Sequence, residues 1–107
     1  LQFWLGTGWM KALRERLVAW QIHASERMAE RGFTRAAVLE ALVDAECIES
    51  YPDDIPFPSA LFLGCDNGRP IHIVASLDHS VGIIHIITVY EPDVSRFEPG
   101  FRKRRPN

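Results

Sequence analysis

Ala60-Leu-Phe-Leu-Gly-Cys-Asp-Asn-Gly-Arg-Pro-Ile-His-Ile-Val-Ala-Ser-Leu77 decides the fold. Apolar runs flank Asp66-Asn-Gly68, and Asn-Gly accepts the positive φ angles of a tight hairpin turn. The stretch predicts a strand over 60–65, a turn, and a strand over 71–77. A second turn, Asp78-His-Ser-Val-Gly82, leads to Ile83–Tyr90, a β-branched run that predicts another strand. A short strand near 47–50 is expected at the edge of the sheet. Simple alternation puts Ile84, Ile86, Thr88 and Tyr90 on one face, and turns His72 away from Ile71 and Ile73. The last two strands are apolar on both faces, so helices should cover one face and a partner chain the other.

Upstream, the period is helical. Met10, Leu13, Leu17 and Trp20 share one face, with Lys11, Arg14, Glu15 and Arg16 opposite, which predicts a first helix through that segment. A second helix is expected from about His23 to Gly32, a natural left-handed terminator. Thr34 is a good N-cap for a third, with Val38, Leu39, Leu42 and Val43 as its apolar positions. Together these predict an α+β domain: N-terminal helices followed by a three- or four-stranded antiparallel sheet. The domain is expected over residues 10–101. Residues 1–9 read as an extension ahead of a start at Met10, and 102–107 as a basic C-terminal tail.

Composition narrows the function classes. In 107 residues, 47% are hydrophobic and 24% charged, which excludes wholesale disorder. The formal net charge of -2 gives no overall basic field for nucleic acid. No apolar run is long enough for a membrane-spanning helix, and Leu1–Trp9 lacks the basic start of a signal peptide. Cys47 and Cys65 stand apart, so no Cys-x-x-Cys pattern exists, and two free thiols in a reducing cytoplasm are expected. The four histidines lack metal-ligand spacing, so no metal or other cofactor is expected. Phosphate-loop, dinucleotide and nucleophile-elbow motifs are absent from the sequence.

The candidate chemistry lies in two places. His23, Glu26, Arg27, Glu30 and Arg31 stack on one face of the second helix. Such ladders are most often solvated surface. The functional alternative is a site where histidine moves a proton and arginine holds an anion. His72 sits in a strand, where a lone histidine is more often a hydrogen-bonded structural residue than a catalyst. Its functional reading improves if Thr88 and Tyr90 share its face, with Arg69 close in sequence. His79 is expected in a turn, and His85 is read as packing or lining an interface.

Four ordered segments carry a resemblance. They are His23-Ala-Ser-Glu-Arg-Met-Ala-Glu-Arg-Gly-Phe-Thr34, Tyr51-Pro-Asp-Asp54, Leu63–Val74 and Ile87-Thr-Val-Tyr-Glu-Pro-Asp93. Over about residues 10–103 the chain resembles the bacterial domain-of-unknown-function family 4258. That family is similar in fold to the RelE, ParE and BrnT toxins of type II toxin–antitoxin systems. The resemblance implies a RelE-like fold, metal-independent RNA cleavage, and a cognate antitoxin, often a small zinc-finger protein. His23, Glu26, Arg27, His72 and Tyr90 are then the catalytic candidates, and Arg31, Arg69 and Thr88 the substrate-binding ones. In that reading His23 or His72 takes the ribose 2′-hydroxyl proton, and the arginines stabilise charge on the phosphate. The alternative is a non-enzymatic protein-binding module of the same fold, one version being a homodimer built through the last strand. A metal-assisted hydrolase using His23 and His72 is a third reading.

Overall fold

The computed structural model describes residues 7–106. Residues 1–6 of the expected N-terminal extension lie outside the described residues. In chain order the elements are α1 (Thr7–Arg14), β1 (Val18–Trp20), α2 (Ile22–Arg31), α3 (Arg35–Val43), β2 (Glu46–Tyr51), β3 (Ser59–Asp66), β4 (Arg69–Asp78) and β5 (Ile83–Tyr90). The fold is α+β. The described strands form one five-stranded sheet in the order β1-β5-β4-β3-β2.

The sheet is mixed rather than purely antiparallel. Val18, Ala19 and Trp20 pair in parallel with Ile84, His85 and Ile86, where a continuing first helix was expected. The helix stops because Arg16 turns left-handed at φ 57. Leu17 N–H then donates to the Ala12 carbonyl at 2.8 Å and Arg16 N–H to the Leu13 carbonyl at 3.2 Å, the double bond that closes helix ends. The buried side of α1 is Trp9, Ala12 and Leu13, whereas Met10 is exposed. Trp9 stacks on Phe62 with ring centroids 4.9 Å apart, so the core includes a residue ahead of the expected boundary at Met10.

The other helices end as their sequences dictate. Gly32 at φ 75 closes α2 with the same double bond, Phe33 N–H reaching the Met28 carbonyl at 2.9 Å. Thr34 caps α3, its hydroxyl accepting from Ala37 N–H at 3.1 Å. The helices bury Ala24, Met28, Val38 and Leu42 against the inner face of the sheet, chiefly Phe62, Ile71, Ile73, Ile84, Ile86 and Val89.

The outer face of the sheet depends on one bulge. Val74 pairs with Thr88, but Ala75 pairs with Ile86, so Ile87 is an extra residue in β5. Inserting one residue inverts the alternation beyond it. Thr88 and Tyr90 therefore leave the Ile84–Ile86 face, where simple alternation places them, and join His72 on the outer face. Segments of the chain itself cover that face at its two ends. The loop around Phe57 covers one, where Phe57 stacks on His85, and residues 92–105 cover the other. Among the described residues β5 also lacks a free edge along Ile84–Ile86, because β1 occupies it, so a homodimer cannot pair through that part of the last strand.

Candidate functional site

Residues 92–105, expected in part as a solvated tail, form a strap across the sheet. Ser95 N–H donates to Asp93 Oδ1, Glu98 N–H to the Lys103 carbonyl, and Arg105 N–H to the Arg96 carbonyl. Two arginines of the basic run clasp the strap to β2. Arg102 Nε bonds Glu46 Oε1 at 2.7 Å, and Arg104 holds Glu49 through both Nε (2.7 Å) and Nη2 (3.2 Å). Phe97 is buried beneath, edge-on to the His72 ring at 4.6 Å.

His72 is completely buried, and both of its ring nitrogens are engaged. Nε2 lies 2.9 Å from the Phe101 carbonyl, which only accepts, so Nε2 carries the proton. Nδ1 lies 3.2 Å from the Tyr90 hydroxyl. In a neutral ring Nδ1 has the free lone pair, so the Tyr90 O–H donates to it. Burial lowers the His72 pKa below its ordinary 6.5, outweighing the Phe101 carbonyl, which favours the charged ring. Burial likewise raises the Tyr90 pKa above 10.0, so the phenol keeps its proton at neutral pH. For Glu49, burial is opposed by hydrogen bonds from Arg104 and Tyr51, and the net pKa falls below 4.5. The result is an ordered chain, Phe101 carbonyl to His72 to Tyr90, with the phenolic oxygen's lone pairs free to accept from outside.

Tyr90 opens onto a cleft of about 770 Å³. Arg27 and Arg31 line it from α2, Thr88 and Tyr90 from β5, and Arg96 and Arg104 from the strap. Glu91 and Asp93 are also on its wall. Arg31 Nη1 is tied to the Val89 carbonyl at 3.0 Å, which fixes α2 against β5. Arg27 and Arg96 form no ion pair among the described residues, so their guanidinium groups remain available to an anion. Two unpaired guanidinium groups beside one phenol, with Arg31 and Arg104 on the same wall, are suited to a phosphate group.

Of the residues singled out by sequence, Arg27, Arg31, Thr88 and Tyr90 meet in this cleft, with His72 directly behind Tyr90. His23 and Glu26 are exposed and do not line it. The α2 axis explains the split. Gln21, ahead of its first turn, bonds at the level of Ile86, while Arg31 in its last turn reaches Val89. His23 is therefore displaced along β5 from Tyr90. Arg69 is used structurally: it bonds the Arg31 carbonyl and Asp66, and lies over the Phe33 ring at 4.0 Å. Sequence reasoning missed Arg96, Arg104 and Glu49. The available signal was Phe97 and Phe101 in an otherwise polar tail, since two aromatics there argue for packing. Among the described residues, three potential metal-ligand side chains nowhere converge. No described helix is long and apolar enough to cross a membrane.

No curated protein and no solved structure shows significant similarity to the chain. A family model described as Domain of unknown function (DUF4258) matches residues 20–91, which takes in α2 through the end of β5 and stops before the strap. Because the match spans more than half of the sequence, the chain belongs to the family described as Domain of unknown function (DUF4258).

Proposed function

We propose that the Tyr90 cleft binds an RNA phosphodiester and that the protein is the toxin of a type II toxin–antitoxin pair, a metal-independent ribonuclease on a RelE-like fold. The observation that carries this reading is a phenol backed by a buried neutral histidine and ringed by arginines. RNA carries its own nucleophile. The ribose 2′-hydroxyl gives its proton to the Tyr90 oxygen as Tyr90 passes its own to His72 Nδ1. The 2′-oxygen bonds to phosphorus, the bond from phosphorus to the 5′-oxygen breaks, and that oxygen takes a proton from water. The products are a 2′,3′-cyclic phosphate and a free 5′-hydroxyl. His72 then returns its proton to solvent through Tyr90. Arg27, Arg31, Arg96 and Arg104 stabilise the charge that builds on the phosphate.

The test is cleavage of a labelled RNA in excess chelator, with the 3′ ends analysed. Cyclic phosphate ends are expected. Tyr90→Phe should slow cleavage about 100-fold or more, and Arg27→Ala about 10-fold to 100-fold. A fully active Tyr90→Phe protein would refute the assigned role. A second reading, a protein-binding module on the same fold, is favoured by the net charge of -2 and by Glu91 and Asp93 on the cleft wall. In that reading the arginines grip an acidic stretch of an antitoxin-like partner, such as a small zinc-finger protein, or a second copy of this chain. Tight protein capture without RNA scission would support it.

A further inference from the structure

A second cavity, of about 470 Å³, opens at the other end of the outer sheet face. Its polar floor is a row across three strands: Ser59 pairs with Ser76, and Ser76 pairs with His85. Ser59 donates its hydroxyl proton to Asp54, which also lines the cavity. Ser76 is only 4% exposed, and no hydrogen bond joins its hydroxyl to another described residue. Among the described residues no polar side-chain atom is sealed away unpaired, so the Ser76 hydroxyl faces the cavity. His85 and Gln21 also make no side-chain hydrogen bond among the described residues. The walls are of a different kind. Phe57 lies flat on the His85 ring, with centroids 5.4 Å apart and planes 16° apart, and Pro56 and Ile87 add apolar wall beside them.

A pocket with a stacked ring pair on its wall and unused hydrogen-bonding groups along its floor fits a planar heterocycle with a polar edge. The position says which one. Ile87 lines this cavity, and the next residue, Thr88, lines the arginine cleft. The strand rise puts Ile87 and Tyr90 about 10 Å apart along β5. The two sites therefore adjoin along β5, whose stretch beyond Ile86 pairs with no described strand on the side away from β4. We propose that this cavity is a nucleobase pocket, taking the base of a nucleotide near the phosphate held in the Tyr90 cleft. The ring stacks against the Phe57 and His85 wall, and its polar edge bonds Ser76, Asp54 and Gln21. The placement beside a phosphate rests on the ribonuclease reading. The pocket's affinity for a base does not.

Uncharged nucleosides separate the two, because they carry no phosphate for the arginines. The intact protein is titrated with guanosine, adenosine, cytidine and uridine while ring signals of Phe57 and His85 are followed by NMR. At least one nucleoside should move both signals saturably. Phe57→Leu should weaken that binding at least tenfold, and so should Gln21→Ala, an exposed position that leaves folding intact. Arg27→Ala should leave nucleoside binding unchanged while weakening inorganic phosphate binding. If no nucleoside moves these signals at millimolar concentration, or if they bind equally well to both pocket variants, the pocket proposal is wrong. Nucleoside binding without any RNA scission would keep the pocket and remove the ribonuclease.

Discussion

The outer face of the sheet holds two histidines in equivalent settings and uses them differently. Both are on adjacent inner strands, both point outward, and each is covered by a segment from elsewhere in the chain. His72 has every polar atom satisfied: the strap supplies a carbonyl, and β5 supplies a phenol. His85 has an aromatic neighbour and a cavity beside it, with no side-chain hydrogen bond among the described residues. Satisfying a buried imidazole makes it part of the framework and leaves one neutral tautomer. Leaving an imidazole beside an open cavity keeps its capacity for a ligand. A histidine on a strand is thus defined by what covers it.

The sharpest way to break this contrast is to remove each ring. His72→Ala leaves the Phe101 carbonyl without its donor and opens a cavity beneath Phe97, which should cost about 3 kcal/mol of unfolding free energy. His85→Ala loses one stacked contact at a half-exposed position and should cost about 1 kcal/mol. Urea unfolding of both variants checks the ratio. Equal costs would mean that the two ends are not different in kind.

Acid provides the same comparison without mutation. The folded protein holds His72 neutral below 6.5, where an unfolded histidine already takes a proton. The unfolded state then binds more protons, so this contribution to stability is complete above 6.5 and declines as pH falls below it. Tyr90, Glu49 and Arg104 surround the ring. Glu49 has its ordinary value at 4.5, so a window from about pH 5 to 6.5 isolates the histidine. Wild-type unfolding free energy should fall as pH drops across that window, and should fall less in His72→Gln.

Local features were legible in the sequence because their causes are local. Asn67-Gly68 marks its own turn, Gly32 its own helix end, and Thr34 its own cap. Arg27 and Arg31 were found because one helical turn separates them. The features that define the site are not local. The bulge at Ile87 carries no signature residue, yet it decides whether Tyr90 meets His72. The parallel pairing of Val18 with Ile84 joins residues far apart in sequence, and Leu17 and Trp20 on either side of Val18 continue a helical period. The strap is hidden by its own arginines, since a basic terminal run usually solvates. Its ion pairs are modest in strength. Arg104 holds Glu49 with two bonds and lies over Phe97 at 5.0 Å, so Arg104→Ala should cost about 1 kcal/mol. Arg102→Ala breaks a single, more exposed pair and should cost less than about 0.5 kcal/mol in the same urea titration.

An effect of similarly small size, and of opposite sign, tests the residue that turned a predicted helix into a strand. Arg16 is left-handed at φ 57, a conformation that strains any side chain with a Cβ. The α2 terminus makes the same double bond with glycine at φ 75. Arg16→Gly should therefore relieve strain at the end of α1, offset in part by the freer unfolded chain, for a net gain of about 0.5 kcal/mol. Arg16 is exposed, so no packing is lost with its side chain. If Arg16→Gly instead destabilises the protein, the stop after Arg14 is imposed by the pairing of β1 with β5 rather than by the local bond pattern. The sheet would then be the cause of the helix end, and the helix end would not be what frees Val18 for the sheet.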